Sequence, residues 1–423
     1  MLVDLIVHGA ARLVTCASSG GPKRGAAMRE VGSLAGGALA VKDGRIVAVG
    51  ETSEVLAQYE AAEMVDASGR AVCPGFVDAH THLVYAGERL DEFEMRIQGK
   101  SYQEIMLAGG GILNTVRQTR GASPDQLINQ SAARLATMLE LGTTTAEVKT
   151  GYGLDTASEL KMLLVIEKLA RQQSVELIPT FLGAHSVPPE YRGRTGEYAR
   201  LVIEEMLPAV ADWYARSDFA AQAKPCFIDV FCEEGVFDAD LTRQILQAGK
   251  GCGLALKAHV DEFVAMGGTT VGIDLGAISL DHLDHTPPTE MAHLAASPTV
   301  AVIIPAVNFN LGSPEFAGAR AMVDSGVAVA LATDLNPGSA PCPSLPLVMA
   351  IACRYQGLLP AETLNAITIN AAHAIAMGDK IGSLEVGKQA DFIILEVADY
   401  RHLAYQFGVN LVQQVFKRGR RVV

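Results

Sequence analysis

The middle of the chain alternates short apolar runs, typical of buried strands, with longer segments of helical periodicity. This alternation predicts βα units built around a parallel sheet. The strand candidates are AVCPGFVDAH, TTTAEVKT, VELIPTFLGAH, FIDVFCE, LALKAHV, GAISLDHL, TVAVIIP and VAVALATD. Helical segments between them include PDQLINQSAARLATMLELG and TASELKMLLVIEKLARQQ. Eight strands alternating with helices predict an α/β fold of the (β/α)8 barrel type.

The two ends of the chain have a different pattern, in which β-like runs are separated by glycine turns. The KDGR turn between two apolar runs indicates a hairpin in the first part. Because the termini of a domain that carries an insertion usually meet, we expect both ends to form one small β-sandwich. The predicted domains are a composite sandwich of residues 1–68 and 378–423 and a barrel of residues 69–377.

Composition limits the classes of partner. The net charge of −13 argues against nucleic acid or an anionic membrane surface, although one local arginine could still bind a small anionic substrate. No run reaches the roughly 18 apolar residues of a membrane helix, and the N-terminus lacks the features of a signal peptide. The 7 cysteines show no CxxC spacing. We therefore expect an unexported, cytoplasmic protein with reduced thiols and no membrane partner.

Candidate metal ligands stand at the predicted carboxyl ends of the strands. His80 and His82 end the first strand, where alternate residues share one face, so both imidazoles can reach one ion while Thr81 points away. His259 ends the fifth strand and Asp334 ends the eighth. In a barrel, these ends meet at one mouth. Three imidazoles and a carboxylate suit Zn²⁺ or Fe, which lowers the pKa of a bound water towards about 7.

Candidate proton-transfer groups lie beside these ligands. Glu262 follows His259 by three residues, where the fifth strand meets its loop, and is a candidate general base. His282 ends the sixth strand and could donate a hydrogen bond to an attacked carbonyl, whereas His285 lies beyond the strand. The alternatives are that His185 and His282 are structural residues and that Glu262 is a solvated loop carboxylate.

Two other features do not predict function. The GGG run at 109–111 does not stand between a strand and a helix and lacks a following GK[ST], which excludes a phosphate-binding loop. Cys232 ends the fourth strand, but it has no evident base, and buried thiols are commonly inert. Neither nucleotide binding nor thiol catalysis is therefore predicted.

Seven segments carry a resemblance to a known family: GPKRGAAMREVG, PGFVDAHTHLVYAGERLDEFEMR, SYQEIMLAGGGILNTVRQTR, VKTGYGLDTASELKML, TFLGAHSVPPEY, ATDLNPGSAP and GSLEVGKQADFIIL. They resemble the amidohydrolase superfamily and, within it, the imidazolonepropionase family of histidine catabolism. The HxH and GKxAD elements mark only the superfamily, whereas GERLDEFE, AGGGI, GYGLD, FLGAH and TDLNPGS are more restrictive. The resemblance covers essentially the whole chain. It implies a metal-dependent hydrolase that opens the ring amide of 4-imidazolone-5-propanoate to give N-formimidoyl-L-glutamate.

The resemblance also implies roles for individual residues. The residues that match metal ligands are His80, His82, His259 and Asp334. Those that match catalytic positions are Glu262, His282 and Asp334. Those that match substrate-binding positions are Arg89 for the carboxylate, Tyr152 and His185 for the ring, Glu262, and Asn336, Gly338 and Ser339 in the loop that holds the opened product. A guanidinium can bind a carboxylate through two hydrogen bonds, but Arg89 could also pair with Asp91 or Glu92, and Tyr152 could cap a loop.

Three positions depart from the family pattern. Asn308 and Asn310 follow the seventh strand, where a more aromatic loop is expected. Glutamate stands at position 262, where some relatives carry glutamine. Either change could alter the substrate preference.

Two other functions remain open. An amidohydrolase of this kind could act on a related hydantoin-like ring or could deaminate an aminated heterocycle, but Arg89 would then have no carboxylate to bind. A non-catalytic structural paralogue would not need the intact ligand set or Glu262. The resemblance further implies a homodimer.

Overall fold

The computed structural model describes residues 1–100, 104 and 110–423, so Gly109 of the GGG run lies outside the described residues. The strands are β1 (Leu2–Ala10), β2 (Arg12–Val14), β3 (Ser33–Leu34), β4 (Gly37–Lys42), β5 (Arg45–Glu51), β6 (Glu60–Asp66), β7 (Ala71–Pro74), β8 (Phe76–Asp78), β9 (Thr143–Lys149), β10 (Glu176–Ala184), β11 (Phe227–Cys232), β12 (Ala255–Val260), β13 (Ser279–His282), β14 (Val300–Ile303), β15 (Ala328–Leu331), β16 (Phe392–Leu395), β17 (Val412–Lys417) and β18 (Arg420–Arg421).

The α-helices span Thr52–Gln58, Leu90–Ile97, Ile112–Gly121, Pro124–Glu140, Thr156–Gln172, Thr195–Leu201, Leu207–Arg216, Asp218–Ala221, Ala239–Gly251, Gly268–Leu275, Pro288–Ala296, Pro305–Leu311, Ala319–Asp324, Leu345–Tyr355, Pro360–Ala366, Ile369–Ala374 and His402–Tyr405. A π-helical turn, Val202–Met206, and two 3₁₀ turns, Gly25–Arg29 and Pro189–Tyr191, complete the helical structure of the described ranges. None of the helices described is long and apolar enough to cross a bilayer.

Eight parallel strands, β8 to β15, form a single sheet in which neighbours in the chain are neighbours in space. The sheet curls until its first and last strands meet just beyond their ends, where Thr81 and Leu335 form a parallel bridge. The backbone N–H groups of Asp334 and His82 donate to the carbonyls of His80 and Leu335, each at 3.0 Å. This near-closed barrel with helices between its strands confirms the predicted fold class.

The first predicted strand is divided into two elements. β7 pairs with β2 and β16 in a separate sheet, and only β8 enters the barrel. Gly75 lies between them, and a Cβ at this position would lie 2.4 Å from the side chain of Thr144. The prediction of one continuous strand over residues 71–80 is therefore wrong, because the chain changes sheets at this tightly packed glycine.

The chain ends form two further sheets. The first has the order β5-β4-β1-β6, and the second, β18-β17-β16-β7-β2-β3, combines strands from both ends. Leu39 of the first sheet and Phe392 of the second belong to one apolar core, in which the rings of Phe392 and Phe416 stack with centroids 4.4 Å apart. This small β-structure confirms the predicted fold class, while the domain boundaries at 68 and 378 stay predictions.

Local sequence explains where the outer helices begin. The hydroxyl of Ser123 accepts a hydrogen bond from Gln126 N at 3.2 Å, and the Gln126 side chain accepts one from Ser123 N at 2.9 Å. This reciprocal cap satisfies two otherwise unpaired N–H groups at the start of Pro124–Glu140. The buried side of that helix, which includes Leu127 and Leu135, faces the barrel core.

Candidate active site

Three imidazole rings converge at the carboxyl end of the barrel. His80 and His82 follow β8, and the Nε2 atom of His82 lies 3.3 Å from Nε2 of His80 and 3.3 Å from Nε2 of His259. The Nδ1 atoms of His80 and His259 face Asp281 at 2.7 Å and Asp229 at 3.0 Å. Because these Nδ1 atoms donate to carboxylates, the corresponding Nε2 atoms present lone pairs to the centre. Lone pairs of Nε2 atoms that face one another at 3.3 Å repel, and a cation bound between them would remove this repulsion.

Asp334 completes this cluster. Its Oδ1 atom lies 3.4 Å from Nε2 of His80 and 3.4 Å from Nε2 of His82. That oxygen is buried and has no hydrogen-bond partner among the described residues. Two ligands held at about 2.0–2.1 Å from Zn²⁺ in tetrahedral geometry are about 3.3–3.4 Å apart. The measured spacings, 3.3 Å among the imidazole nitrogens and 3.4 Å from Asp334 to His80 and His82, fit pairs of ligands on a shared metal ion. The hydroxyl of Thr81 turns away and donates to Glu147 O at 2.6 Å.

Backbone strain is concentrated around this centre. Asp261, His282, Leu283 and Asp334 have φ angles of 55°, 79°, 62° and 52°. A side chain other than glycine pays of order 1 kcal/mol or more in this left-handed region. Asp261 directly follows β12, and His282 and Leu283 stand at the end of β13 and directly after it. Asp334 lies three residues beyond β15, the last barrel strand. The strain there redirects the side chains that follow the strands towards the mouth.

Glu262 and His282 face each other beside the cluster. Glu262 Oε2 lies 3.8 Å from His282 Nε2, and the rings of His282 and His259 have centroids 5.1 Å apart. Burial, together with the nearby Asp334 charge, raises the pKa of Glu262 well above its ordinary value. Burial also lowers the pKa of His282, well below its ordinary value. The pair can thus exchange protons with a substrate lying between them and the cluster.

Glu233 holds the loop that carries Glu262. Its carboxylate accepts hydrogen bonds from the backbone N–H groups of Phe263 at 2.9 Å and Val264 at 3.0 Å. Glu233 is itself buried. The sequence analysis did not identify this residue, although it directly follows the fourth barrel strand, where loop residues of functional importance are expected.

A cavity of about 710 Å³ opens above the cluster. Predicted site residues that line it are His82, Arg89, Tyr152, His185, His259, Glu262, His282, Asp334, Asn336, Gly338 and Ser339. His80 lies beneath, in contact with His82. The barrel thus brings all the predicted site residues to one mouth.

Arg89 lies on one wall of the cavity. Its Nε and Nη2 atoms lie 2.8 Å and 2.7 Å from Glu92 Oε2, so Arg89 pairs with Glu92 rather than with Asp91. Its Nη1 atom packs against Gly338, where an added Cβ would lie 2.0 Å away. Arg96 also contacts this residue, since its Nη2 atom donates to Gly338 O at 3.1 Å. Two guanidinium groups therefore contact this glycine, and Arg96 was not predicted although it lies two helical turns after Arg89.

Aromatic rings form another wall. The ring of His185 stacks on His82 with centroids 4.8 Å apart and planes 18° apart, and its Nδ1 atom lies 3.0 Å from Gly151 O. The ring of Tyr152 lies 5.4 Å from that of His185. Burial lowers the pKa of His185 to about 3, so this imidazole is neutral at neutral pH. A flat heterocycle can pack against these rings.

Asn336 organises the loop after the last barrel strand. Its Nδ2 atom donates to Asp334 Oδ2 at 3.0 Å and to Ser339 Oγ at 2.9 Å. Its Oδ1 atom accepts hydrogen bonds from the backbone N–H groups of Gly338 and Ser339, both at 2.8 Å. One amide therefore connects the candidate metal ligand to the loop that faces the cavity.

The two unexpected asparagines support loops. Both belong to the helix Pro305–Leu311, where Asn310 Nδ2 donates to Ser339 O at 2.8 Å and Asn308 Nδ2 donates to Glu315 O at 3.1 Å. Asn310 therefore braces the same loop as Asn336. We expect both asparagines to influence substrate preference through the conformation of these loops.

The sequence analysis missed the charges beneath the histidines. Asp229 and Asp281 lie within barrel strands, and Lys149 ends another; all three are buried. The available signal was a charged residue inside an otherwise apolar barrel strand, since such residues are rarely buried without a partner. Each is paired here, because Lys149 Nζ lies 2.7 Å from Asp229 and 3.4 Å from Asp281.

Comparison with known proteins identifies relatives of the chain. The amidohydrolase family matches residues 252–422, and the bacterial imidazolonepropionase-like composite domain matches residues 37–59. Imidazolonepropionase of Chloroflexus aggregans is 56% identical over 420 residues, which cover 99% of this chain and 98% of that protein. Imidazolonepropionase of Symbiobacterium thermophilum is 49% identical, with 100% and 97% of the two chains covered.

Solved structures share the fold at much lower identity. An adenosine deaminase from Xanthomonas campestris with bound zinc has a TM-score of 0.73 at 19% identity and covers 99% of this chain and 93% of its own. Guanine deaminase of E. coli has a TM-score of 0.74 at 16% identity, with coverage of 99% and 98%. These two comparisons show the fold alone, whereas the near full-length identities decide the family. The chain is a hydrolase and belongs to the imidazolonepropionase family.

Proposed function

We propose that this chain hydrolyses the ring amide of 4-imidazolone-5-propanoate to N-formimidoyl-L-glutamate. The observation that carries the proposal is the convergence of three imidazole nitrogens and an unpaired carboxylate oxygen below a cavity with an arginine wall. The cluster of nitrogens and the carboxylate oxygen suits metal-dependent hydrolysis of an amide. The arginine on the cavity wall suits a substrate with a carboxylate. The family membership points to the same reaction.

His80, His82, His259 and Asp334 would hold the metal ion. Three neutral imidazoles and one carboxylate, without a thiolate, suit Zn²⁺ or Fe. The bound ion would supply a Lewis acid and a water of lowered pKa. The carboxylates behind His80 and His259 keep the two rings in the tautomer that binds metal.

Glu262 is the proposed general base. It takes the proton of the attacking water while His282, held neutral by burial, donates a hydrogen bond to the carbonyl oxygen. As the ring C–N bond breaks, the leaving nitrogen takes a proton from Glu262 or Asp334. The distance of 3.8 Å between Glu262 and His282 leaves both groups within reach of one substrate carbonyl.

Substrate recognition is proposed for the remaining wall residues. Arg89 binds the propanoate carboxylate, and Tyr152 and His185 hold the ring. The loop of Asn336, Gly338 and Ser339 receives the opened product. A homodimer and a cytoplasmic location stay predictions.

The test is turnover of freshly generated 4-imidazolone-5-propanoate, with N-formimidoyl-L-glutamate as the detected product. A 4-imidazolone without the propanoate chain, a hydantoin and an aminated heterocycle serve as comparison substrates. We expect turnover of the propanoate-bearing ring to exceed the others by at least about 10-fold, the value of one charge-assisted contact. Absence of product from metal-loaded enzyme, or preference for a ring without a carboxylate, would refute the proposal.

A further inference from the structure

Lys149, the last residue of β9, is fully buried and takes no part in the proposed reaction. Its Nζ atom lies 2.7 Å from Asp229 Oδ2, 2.8 Å from Glu147 Oε1 and 3.4 Å from Asp281 Oδ2. Burial alone would lower the pKa of Lys149, but the charges of Asp229, Glu147 and Asp281 outweigh it and raise the pKa above its ordinary value. Lys149 is therefore an ammonium ion inside the barrel.

Two of its partners also contact candidate metal ligands. The other oxygen of Asp229, Oδ1, lies 3.0 Å from His259 Nδ1 and accepts the backbone N–H of His259 at 3.1 Å. Asp281 Oδ2 lies 2.7 Å from His80 Nδ1. Lys149 is thus linked to His259 through one carboxylate and to His80 through the other.

The two carboxylates depend on Lys149 to different degrees. Asp281 also lies 3.4 Å from Lys257 Nζ and accepts a hydrogen bond from Ser279 Oγ at 2.8 Å. Asp229 has no lysine or arginine other than Lys149 paired with it in the described part of the chain. Loss of the ammonium would leave Asp229 buried beside two other carboxylates with no cationic lysine partner, and such a side chain is expected to turn away from them. The His259 side of the centre is therefore the more sensitive one.

We propose that Lys149 is a positioning residue of the metal centre, which orients His259 and His80 through Asp229 and Asp281 and so sets the affinity for the metal. This inference rests on the metal ligands of the proposed function. Charge repulsion alone predicts the opposite result, because removing a positive charge near a cation would tighten metal binding. The sign of the change in affinity therefore separates positioning from repulsion.

The test compares zinc binding by the metal-free full chain with that of Lys149→Met, by competition with a chelator of known affinity. We expect the zinc Kd of the variant to rise about 10–100-fold, as is usual when the partner of a ligand histidine is lost. Unchanged or tighter zinc binding by the folded variant would overturn the inference. If circular dichroism shows that Lys149→Met is unfolded, Lys149→Gln is measured instead. A higher zinc Kd again supports the inference, and unchanged or tighter zinc binding again overturns it.

Lys417→Met is the matched control. Lys417 also bridges two carboxylates, Asp391 at 2.6 Å and Glu176 at 2.9 Å, but it has no link to the histidines. We expect this variant to lose stability while its zinc Kd stays that of the wild type. Should it weaken zinc binding as much as Lys149→Met does, the effect would be general destabilisation and the inference would fail.

A double variant tests whether Lys149 changes the zinc affinity through Asp229. If Lys149 acts through Asp229, the zinc Kd of Lys149→Met with Asp229→Asn should be close to that of the weaker-binding single variant. Fully additive losses would overturn the inference. Failure of the wild type to bind one zinc ion would instead refute the metal centre itself, so the two failures are distinguishable.

Discussion

The two ends of the barrel differ in how the buried polar atoms nearest the surface of each end are paired. At the amino end, Glu176 lies 3.1 Å from Lys224 and 2.9 Å from Lys417, and Lys417 continues to Asp391. At the carboxyl end, Asp334 Oδ1 and the Nδ1 atoms of His82 and His282 are buried without hydrogen-bond partners among the described residues. The carboxylates named at the amino end are thus paired with lysines, whereas a candidate metal ligand and two imidazole nitrogens at the carboxyl end have atoms without partners.

This difference separates stability from function. A buried polar atom without a partner costs about 1–3 kcal/mol, and the left-handed backbone of Asp334 and His282 adds to this cost. The paired charges at the amino end join the barrel strand β10 to the terminal strand β17. We therefore expect substitutions at the carboxyl end to change activity and those at the amino end to change stability.

The largest effect is expected for Asp334→Ala. Removal of this oxygen takes away a proposed metal ligand, so kcat/KM should fall by at least about 10³-fold, or about 4 kcal/mol. Metal content and turnover of the purified variant are the measurements. Because Asp334 lies three residues beyond β15 and does not fill the apolar core, the circular dichroism spectrum should match that of the wild type. Activity near the wild-type level with no bound metal would contradict the account.

Glu262→Gln tests the proposed base. We expect kcat to fall about 10²–10⁴-fold, the usual contribution of a general base, with the metal content unchanged. Steady-state kinetics and metal analysis of the same preparation separate this result from loss of the ion. A variant with normal kcat would assign the base to another group.

Glu176→Gln tests the opposite end. Breaking a buried ion pair should lower the free energy of unfolding by about 3 kcal/mol, with kcat and KM unchanged. Burial alone would raise the pKa of Glu176, but Lys417 and Lys224 hold it below the ordinary value of 4.5. Its contribution is therefore present above about pH 4.5 and is lost as the pH falls below that value. Denaturant unfolding should show the difference from wild type shrinking in acid; a constant difference would exclude an ionic origin.

A smaller effect is expected for Arg89→Ala. The loss of one charge-assisted contact, about 1.5–3 kcal/mol, should raise the KM for the propanoate-bearing ring about 10–100-fold. A ring without the propanoate should be unaffected, which makes the ratio of the two substrates the decisive measurement. An unchanged KM would place the carboxylate elsewhere, with Arg96, which also lines the cavity, as the next candidate.

The barrel and the candidate metal ligands could be predicted because short sequence patterns indicate both. Eight apolar runs predicted the strands, and polar residues at their ends were necessarily brought to one mouth. The division of the first strand at Gly75 could not be predicted, because it depends on contact with Thr144, distant in sequence.

The network beneath the ligands was missed for a similar reason. Lys149, Asp229 and Asp281 come from three different strands, and their pairing exists only after the barrel forms. The pairing of Arg89 with Glu92 is local and was one of two alternatives in the sequence. The nearness of Arg96 to Gly338 depends instead on two segments about 240 residues apart in the chain.

The most direct test of the account is a comparison of 4-imidazolone-5-propanoate turnover by metal-free enzyme and by the same enzyme reloaded with one equivalent of Zn²⁺ or Fe²⁺. The account predicts that N-formimidoyl-L-glutamate forms only after reloading and that Asp334→Ala is not restored by either metal. Equal turnover before and after reloading would contradict it.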